Sequence, residues 1–135
     1  CFKMNMSNFN IKNVDIYDCG LGDNETTVAL NFNPQSTFST HVTKNKDGNA
    51  KIKTLDSFNF VDIDFIKIDA EGFEPFIING GIKTIEKYNP VILYERKGHE
   101  RRYGFNKNSV LEILKSYGYQ ELEYIGSKNA LIGIV

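Results

Sequence analysis

Cysteine is scarce in this 135-residue chain, neither sign of charge is in surplus, and no long apolar run occurs. Each shortage removes a class of function. The two cysteines, Cys1 and Cys19, lack zinc-motif spacing and are too few for a disulfide framework. Cys19 follows an apolar segment and reads as a small buried hydrophobe. A reducing, cytoplasmic compartment suits such sparing use of thiols. The formal net charge of −1 leaves no electrostatic footprint for nucleic acid or an anionic membrane surface. No segment approaches the roughly 20 apolar residues that a membrane-spanning helix needs. No signal peptide is visible, and the chain opens on Cys1 instead of a start methionine, so a segment upstream is expected to be missing.

What is present is ordinary globular material, with 41% hydrophobic and 24% charged residues, enough for one compact domain or part of one. Residues 1–10 read as the tail of a helix. Val14–Cys19 reads as a strand closed by the turn Gly20-Leu21-Gly22-Asp23-Asn24. Thr26–Phe32 alternates as a strand, with Val28, Leu30 and Phe32 on one face. A polar segment with His41 follows, then an Asp47-Gly48 turn and a returning strand over 50–54. Together they predict an accessory hairpin at about 26–54. Asp56 and Ser57 are placed to cap a short turn.

The chain is organised around residues 62–81, D-I-D-F-I-K-I-D-A-E-G-F-E-P-F-I-I-N-G-G. Phe65–Ile68 is a short apolar run of the kind that forms a parallel strand covered on both faces. Asp69, Glu71 and Glu74 stand at its carboxyl end, Gly72 lets the chain leave the sheet sharply, and Pro75 suits a first helical turn. Carboxylates in this position point to a ligand site at the strand mouth. They also favour a helix N-terminus with no chemistry intended, and Glu74 is best read so, as a solvated, helix-favouring acid. Gly80-Gly81 divides the helix that follows, and Asn89-Pro90 stops it. Val91–Glu95 is the next buried strand, and Arg96–Gly104 is a charged loop holding His99. A helix begins near Ser109, with Asn106 the stronger cap, and runs to about Ser116. Tyr119–Ile125 and 130–135 read as a terminal antiparallel hairpin.

I-D-F-I-K-I-D-A-E-G-F-E, then N-G-G and Y-N-P-V-I-L-Y-E, resemble the core signature of the FkbM-type methyltransferases. N-V-D-I-Y-D-C-G-L-G-D and K-I-K-T-L-D-S-F agree upstream in order and spacing. The resemblance implies an α/β fold, the Rossmann-like class I methyltransferase sheet, in a strand order of 3-2-1-4-5-7-6. It places residues 1–135 from the third strand onward, as a single partial domain truncated at its N-terminus and ending in the hairpin. It also implies S-adenosylmethionine as cofactor and methyl transfer to a hydroxyl. Gly20 and Leu21 fall where the adenine binds, and Asp69 where the donor methyl points. Asp69 could orient the sulfonium or take the acceptor's proton, with Glu71 and His99 as further candidates for proton transfer. The partner is then a small molecule with a hydroxyl, such as a sugar.

Two elements of that family do not occur before Cys1, the glycine-rich loop that cradles the methionine part and the acid that binds the ribose, and a lone Gly20-Leu21-Gly22 is no substitute. A non-catalytic remnant or assembly module on the same scaffold is therefore the alternative for this chain taken alone. Asp69-x-Glu71 has the chemistry to hold a divalent ion, but no third ligand is evident, so no metal is expected. Lys67, an ammonium within an apolar strand, needs a partner if buried; Glu95 is the candidate. With two strands missing, the outer edge of Phe65–Asp69 should be filled, by Val14–Cys19 or by a second copy of the chain, because bare edges template association.

Overall fold

A computed structural model of the protein describes residues 5, 6, 8–32, 40–43, 48, 50–126 and 128–134. The fold is mixed α/β with two four-stranded sheets. The first contains β1 (Gly20–Leu21), β2 (Thr26–Phe32), β3 (Thr40–Thr43) and β4 (Ala50–Lys53) in the order β1-β4-β2-β3. β2 pairs antiparallel with both β3 and β4, while β1 lies parallel to β4, with Gly20 opposite Ile52. The expected hairpin is thus a three-stranded antiparallel ribbon with a short parallel addition. Most of the polar segment before β3, and Asp47 of the expected turn, lie outside the described residues.

The second sheet has the order β5-β6-β8-β7, formed by β5 (Phe65–Ile68), β6 (Val91–Glu95), β7 (Tyr119–Ile125) and β8 (Asn129–Ile134). β5 and β6 are parallel, and the crossover between them is carried by α1 (Glu74–Asn79) and α2 (Ile82–Tyr88). β8 runs antiparallel to β6 and β7, and a bulge between Glu121 and Glu123 interrupts the terminal hairpin. This order agrees with the 4-5-7-6 stretch of the expected sheet.

The period-two pattern puts Ile68, Ile92, Tyr94, Ala130 and Ile132 on one face. There they pack with Ile78 and Ile85 of α1 and α2 and with Val110 and Leu114 of α3 (Ser109–Lys115). At about 25 cal/mol per Å² of apolar surface removed from water, this single cluster is the main source of stability. Pro75 stands in the first turn of α1, and Asn89, at φ 48°, ends α2 in the left-handed conformation, a usual way to close a helix.

Several expectations are corrected. Val14–Cys19 is not a strand: it joins no ladder, and only Gly20–Leu21 pairs. Val14, Ile16 and Tyr17 are exposed, and Tyr17 packs edge-on against Phe58 and Phe60. The segment does not close the gap beside β5, which ends its sheet with its outer side unpaired among the described residues. β5 is also covered on one face only, and Phe65 is 54% exposed, because α1, α2 and α3 pack on the Ile68 side. Lys67 consequently has no burial cost to offset. Its side chain is 59% exposed and reaches Asp69 at 3.4 Å, not Glu95. Cys19 is half-buried rather than enclosed.

The caps differ as well. Thr54, not Asp56, caps the short 3-10 turn Leu55–Phe58, accepting from the Ser57 amide. Asp56 instead reaches the start of α2, where its carboxylate accepts from the amides of Lys83 (3.2 Å) and Thr84 (2.8 Å) and from the Thr84 hydroxyl. That bond joins the two sheets' connecting segments across the sequence. The Asp56 amide donates to Gly80 O at 3.0 Å on the same seam.

Candidate functional site

β5 and β6 run parallel, so the chain leaves both at the same rim of the sheet. After β5 the turn 69–73 carries two left-handed residues, Glu71 at φ 51° and Gly72 at φ 101°. Only glycine adopts the second cheaply. The first is unusual for glutamate, and residues held in sparsely populated backbone regions concentrate at functional sites. The turn is held from inside by Glu74, whose Oε1 accepts from the Ala70 amide at 2.9 Å. After β6, Gly98 at φ 87° starts the 3-10 turn His99–Tyr103. Arg102 donates to Glu71 O at 3.4 Å, tying the two turns together.

Four polar side chains, Glu71, Glu95, Lys97 and His99, meet there. His99 Nδ1 lies 2.8 Å from Glu71 Oε2, and Lys97 Nζ lies 3.9 Å from Glu71 Oε1 while also contacting Glu95 Oε1. The His99–Glu71 approach is short but not aligned as a hydrogen bond, since Nδ1 is buried without an acceptor in line. It is a close polar contact and not a hydrogen bond. The Lys97 ammonium is raised above its usual pKa, first by its hydrogen bond to Glu95, then by the charges of Glu95, Glu71 and Asp69. Glu71, Glu95 and His99 each present one donor atom, all within 4.8 Å of one another.

Behind this group lie two enclosed carboxyls. Glu74 and Glu100 are each 1% exposed. Glu74 Oε2 and both Glu100 oxygens lack hydrogen-bond partners among the described residues. Burial pushes Glu74 up to about 7, and the like charge of Glu100 adds to it. The expectation of a solvated Glu74 is thus overturned: it is a buried support for the turn.

Of the residues singled out in the sequence, Glu71 and His99 are brought into contact, and Asp69 stands exposed at the same rim beside Lys67. Gly20 lies elsewhere, in an open cleft with Tyr17, Asp18, Cys19 and Lys51. Leu21 packs against the core, and Gly22 approaches Phe73 of the 69–73 turn. The side chain of His41 lies outside the described residues. Sequence reasoning missed Glu95 and Lys97 as members of the group.

The Methyltransferase FkbM domain model matches residues 4–121. The chain belongs to this FkbM methyltransferase family. A crystal structure of methyltransferase FkbM from Methylobacillus flagellatus KT superposes with a TM-score of 0.61 at 13% identity, over 98% of this chain. That likeness is one of fold. The chain spans about a third of that protein, 32% of its length. Comparison with characterised protein sequences gives no match. Among the described residues no FkbM-chain helix is long and apolar enough to cross a membrane.

Proposed function

We propose that the complete protein of which this FkbM domain is part transfers a methyl group from S-adenosylmethionine to a hydroxyl of a small molecule, such as a sugar. The sheet is read as the carboxyl half of the Rossmann-like class I arrangement. The observation that carries the proposal is the Glu71–His99 contact at the mouth of two parallel strands, in a chain of a methyltransferase family.

The residues here fit one end of the cofactor. The open cleft with Gly20, Tyr17 and Asp18 offers backbone and a flat aromatic wall to an adenine, whereas fixed donors for the methionine end are not found among the described residues. When bound, the cofactor supplies an electrophilic methyl. This chain's own residues handle the proton and the geometry. His99 Nε2 accepts the acceptor's hydroxyl proton, and Glu71 beside Nδ1 stabilises the imidazolium that forms. Asp69 faces the donor side, and Lys97 keeps Glu71 and Glu95 from repelling each other.

Calorimetry with S-adenosylmethionine and a methyl-transfer assay test this. His99→Ala should lower the rate of the active protein by about 10²–10⁴-fold, the usual contribution of a base, leaving cofactor affinity intact. An unchanged rate removes His99 from the mechanism. The 135-residue chain alone should bind the cofactor weakly or not at all; micromolar affinity, roughly −8 kcal/mol, would contradict the assigned division of contacts.

A further inference from the structure

We propose that Glu71, Glu95 and His99 form a binding site for a divalent metal ion, in which the Lys97 ammonium is a built-in competitor. The site shares residues with the proposed methyl-transfer centre but does not depend on that activity.

The donor set is two carboxylates and one imidazole, held within 4.8 Å of one another. An ion bonded at about 2.1 Å to each would bring the donors to roughly 3–4 Å apart. The closure needed is about an ångström, within reach of glutamate rotamers. The most constrained pair is already close: His99 Nδ1 and Glu71 Oε2 are 2.8 Å apart. They also do not form an aligned hydrogen bond, and Nδ1 is buried without a partner in line. Two donor atoms that converge side by side, neither donating to the other, are arranged as ligands of a third body. Glu95 is 8% exposed, so its charge must be met by a cation at short range.

Lys97 presently meets that charge, touching Glu95 and lying 3.9 Å from Glu71. It does so at the end of a flexible four-carbon stem, with a quarter of its side chain exposed, so the ammonium has a path to solvent. The imidazole adds what an ammonium cannot use, a lone pair. Mixed nitrogen and carboxylate donors suit manganese, iron or zinc better than calcium. A metal on Nδ1 keeps the ring proton at Nε2, so metal occupancy and service as the base exclude each other at His99.

Mn²⁺ titration followed by electron paramagnetic resonance tests the assignment. The protein should bind one Mn²⁺ that broadens the His99 ring signal in NMR, a signal identified by its loss in His99→Ala. Lys97→Met should tighten binding on the order of 5–150-fold, the range of ordinary coupling between competing groups. His99→Ala and Glu71→Gln, checked for native circular dichroism, should each abolish the bound fraction. No binding by either the wild type or Lys97→Met overturns the proposal, as does Mn²⁺ affinity that is indifferent to His99. Because the readout is binding alone, loss of the methyl-transfer reading would leave this result standing, and the reverse.

Discussion

Gly72 lies against the backbone of His99, so close that a Cβ on it would sit 2.5 Å from the His99 carbonyl carbon. Two turns 27 residues apart in sequence therefore meet backbone to backbone, and the side chains on either side of the contact are positioned by it. Gly72→Ala faces both this overlap and a φ of 101°. The backbone conformation alone should cost about 1–3 kcal/mol, with the overlap adding to it. Urea denaturation should show a clear fall in midpoint, and the His99 ring signal should move as the turn is pushed from Glu71. A variant as stable as the wild type would mean the two turns are not in contact.

Glu74 makes the stability of the protein depend on pH near neutrality. Its pKa is raised from 4.5 to about 7 in the fold, so the folded state holds the proton more tightly than the unfolded chain. The associated stability is fully present below pH 4.5 and is lost as pH rises to about 7. The span is worth roughly 3 kcal/mol. Glu74→Gln keeps an oxygen for the Ala70 amide and carries no charge. It should flatten the difference between unfolding curves at pH 5 and pH 8, and be the more stable protein at pH 8. Parallel pH dependence in both proteins would show that Glu74 is not enclosed.

Asp56 serves three donors at the start of α2, the amides of Lys83 and Thr84 and the Thr84 hydroxyl. Asp56→Ala should cost about 1–2 kcal/mol, the upper range for losing a helix cap, because Thr84 is buried and its donors would be left unmet. Thermal melts report this directly. A change within about 0.5 kcal/mol, the range of ordinary surface substitutions, would place the carboxylate in solvent.

Tyr119 donates its buried hydroxyl to Pro90 O at 2.9 Å, pinning β7 to the end of α2. Burial pushes the phenol up to about 12. Tyr119→Phe should lose about 1–2 kcal/mol, and an alkaline absorbance titration should lose one late-titrating tyrosine, leaving the buried Tyr94, which burial also pushes up. Loss of an early component would mean that Tyr119 is exposed.

The sequence by itself determined the local elements of this protein. Phe65–Ile68, Val91–Glu95 and the terminal hairpin were legible because short apolar runs bounded by turn residues mark strands. Gly80-Gly81 and Asn89-Pro90 marked helix ends through backbone preference alone. Glu71 and His99 stood out as site candidates because each follows directly on a strand end of a spaced, specific signature. Tertiary structure decided everything that depends on what lies opposite. Val14–Cys19 has a strand's composition but no ladder, because alternation cannot supply a partner. Lys67 looked like a buried charge because a sequence does not say which face of a sheet is covered. Its exposure left Glu95 to Lys97. Glu74 looked like a solvated helix acid because its burial, and the like charge of Glu100 beside it, are set by the tertiary fold. Asp56 caps a helix 27 residues further on for the same reason: the amides it serves are brought to it by the sheet crossover, and nothing local announces them.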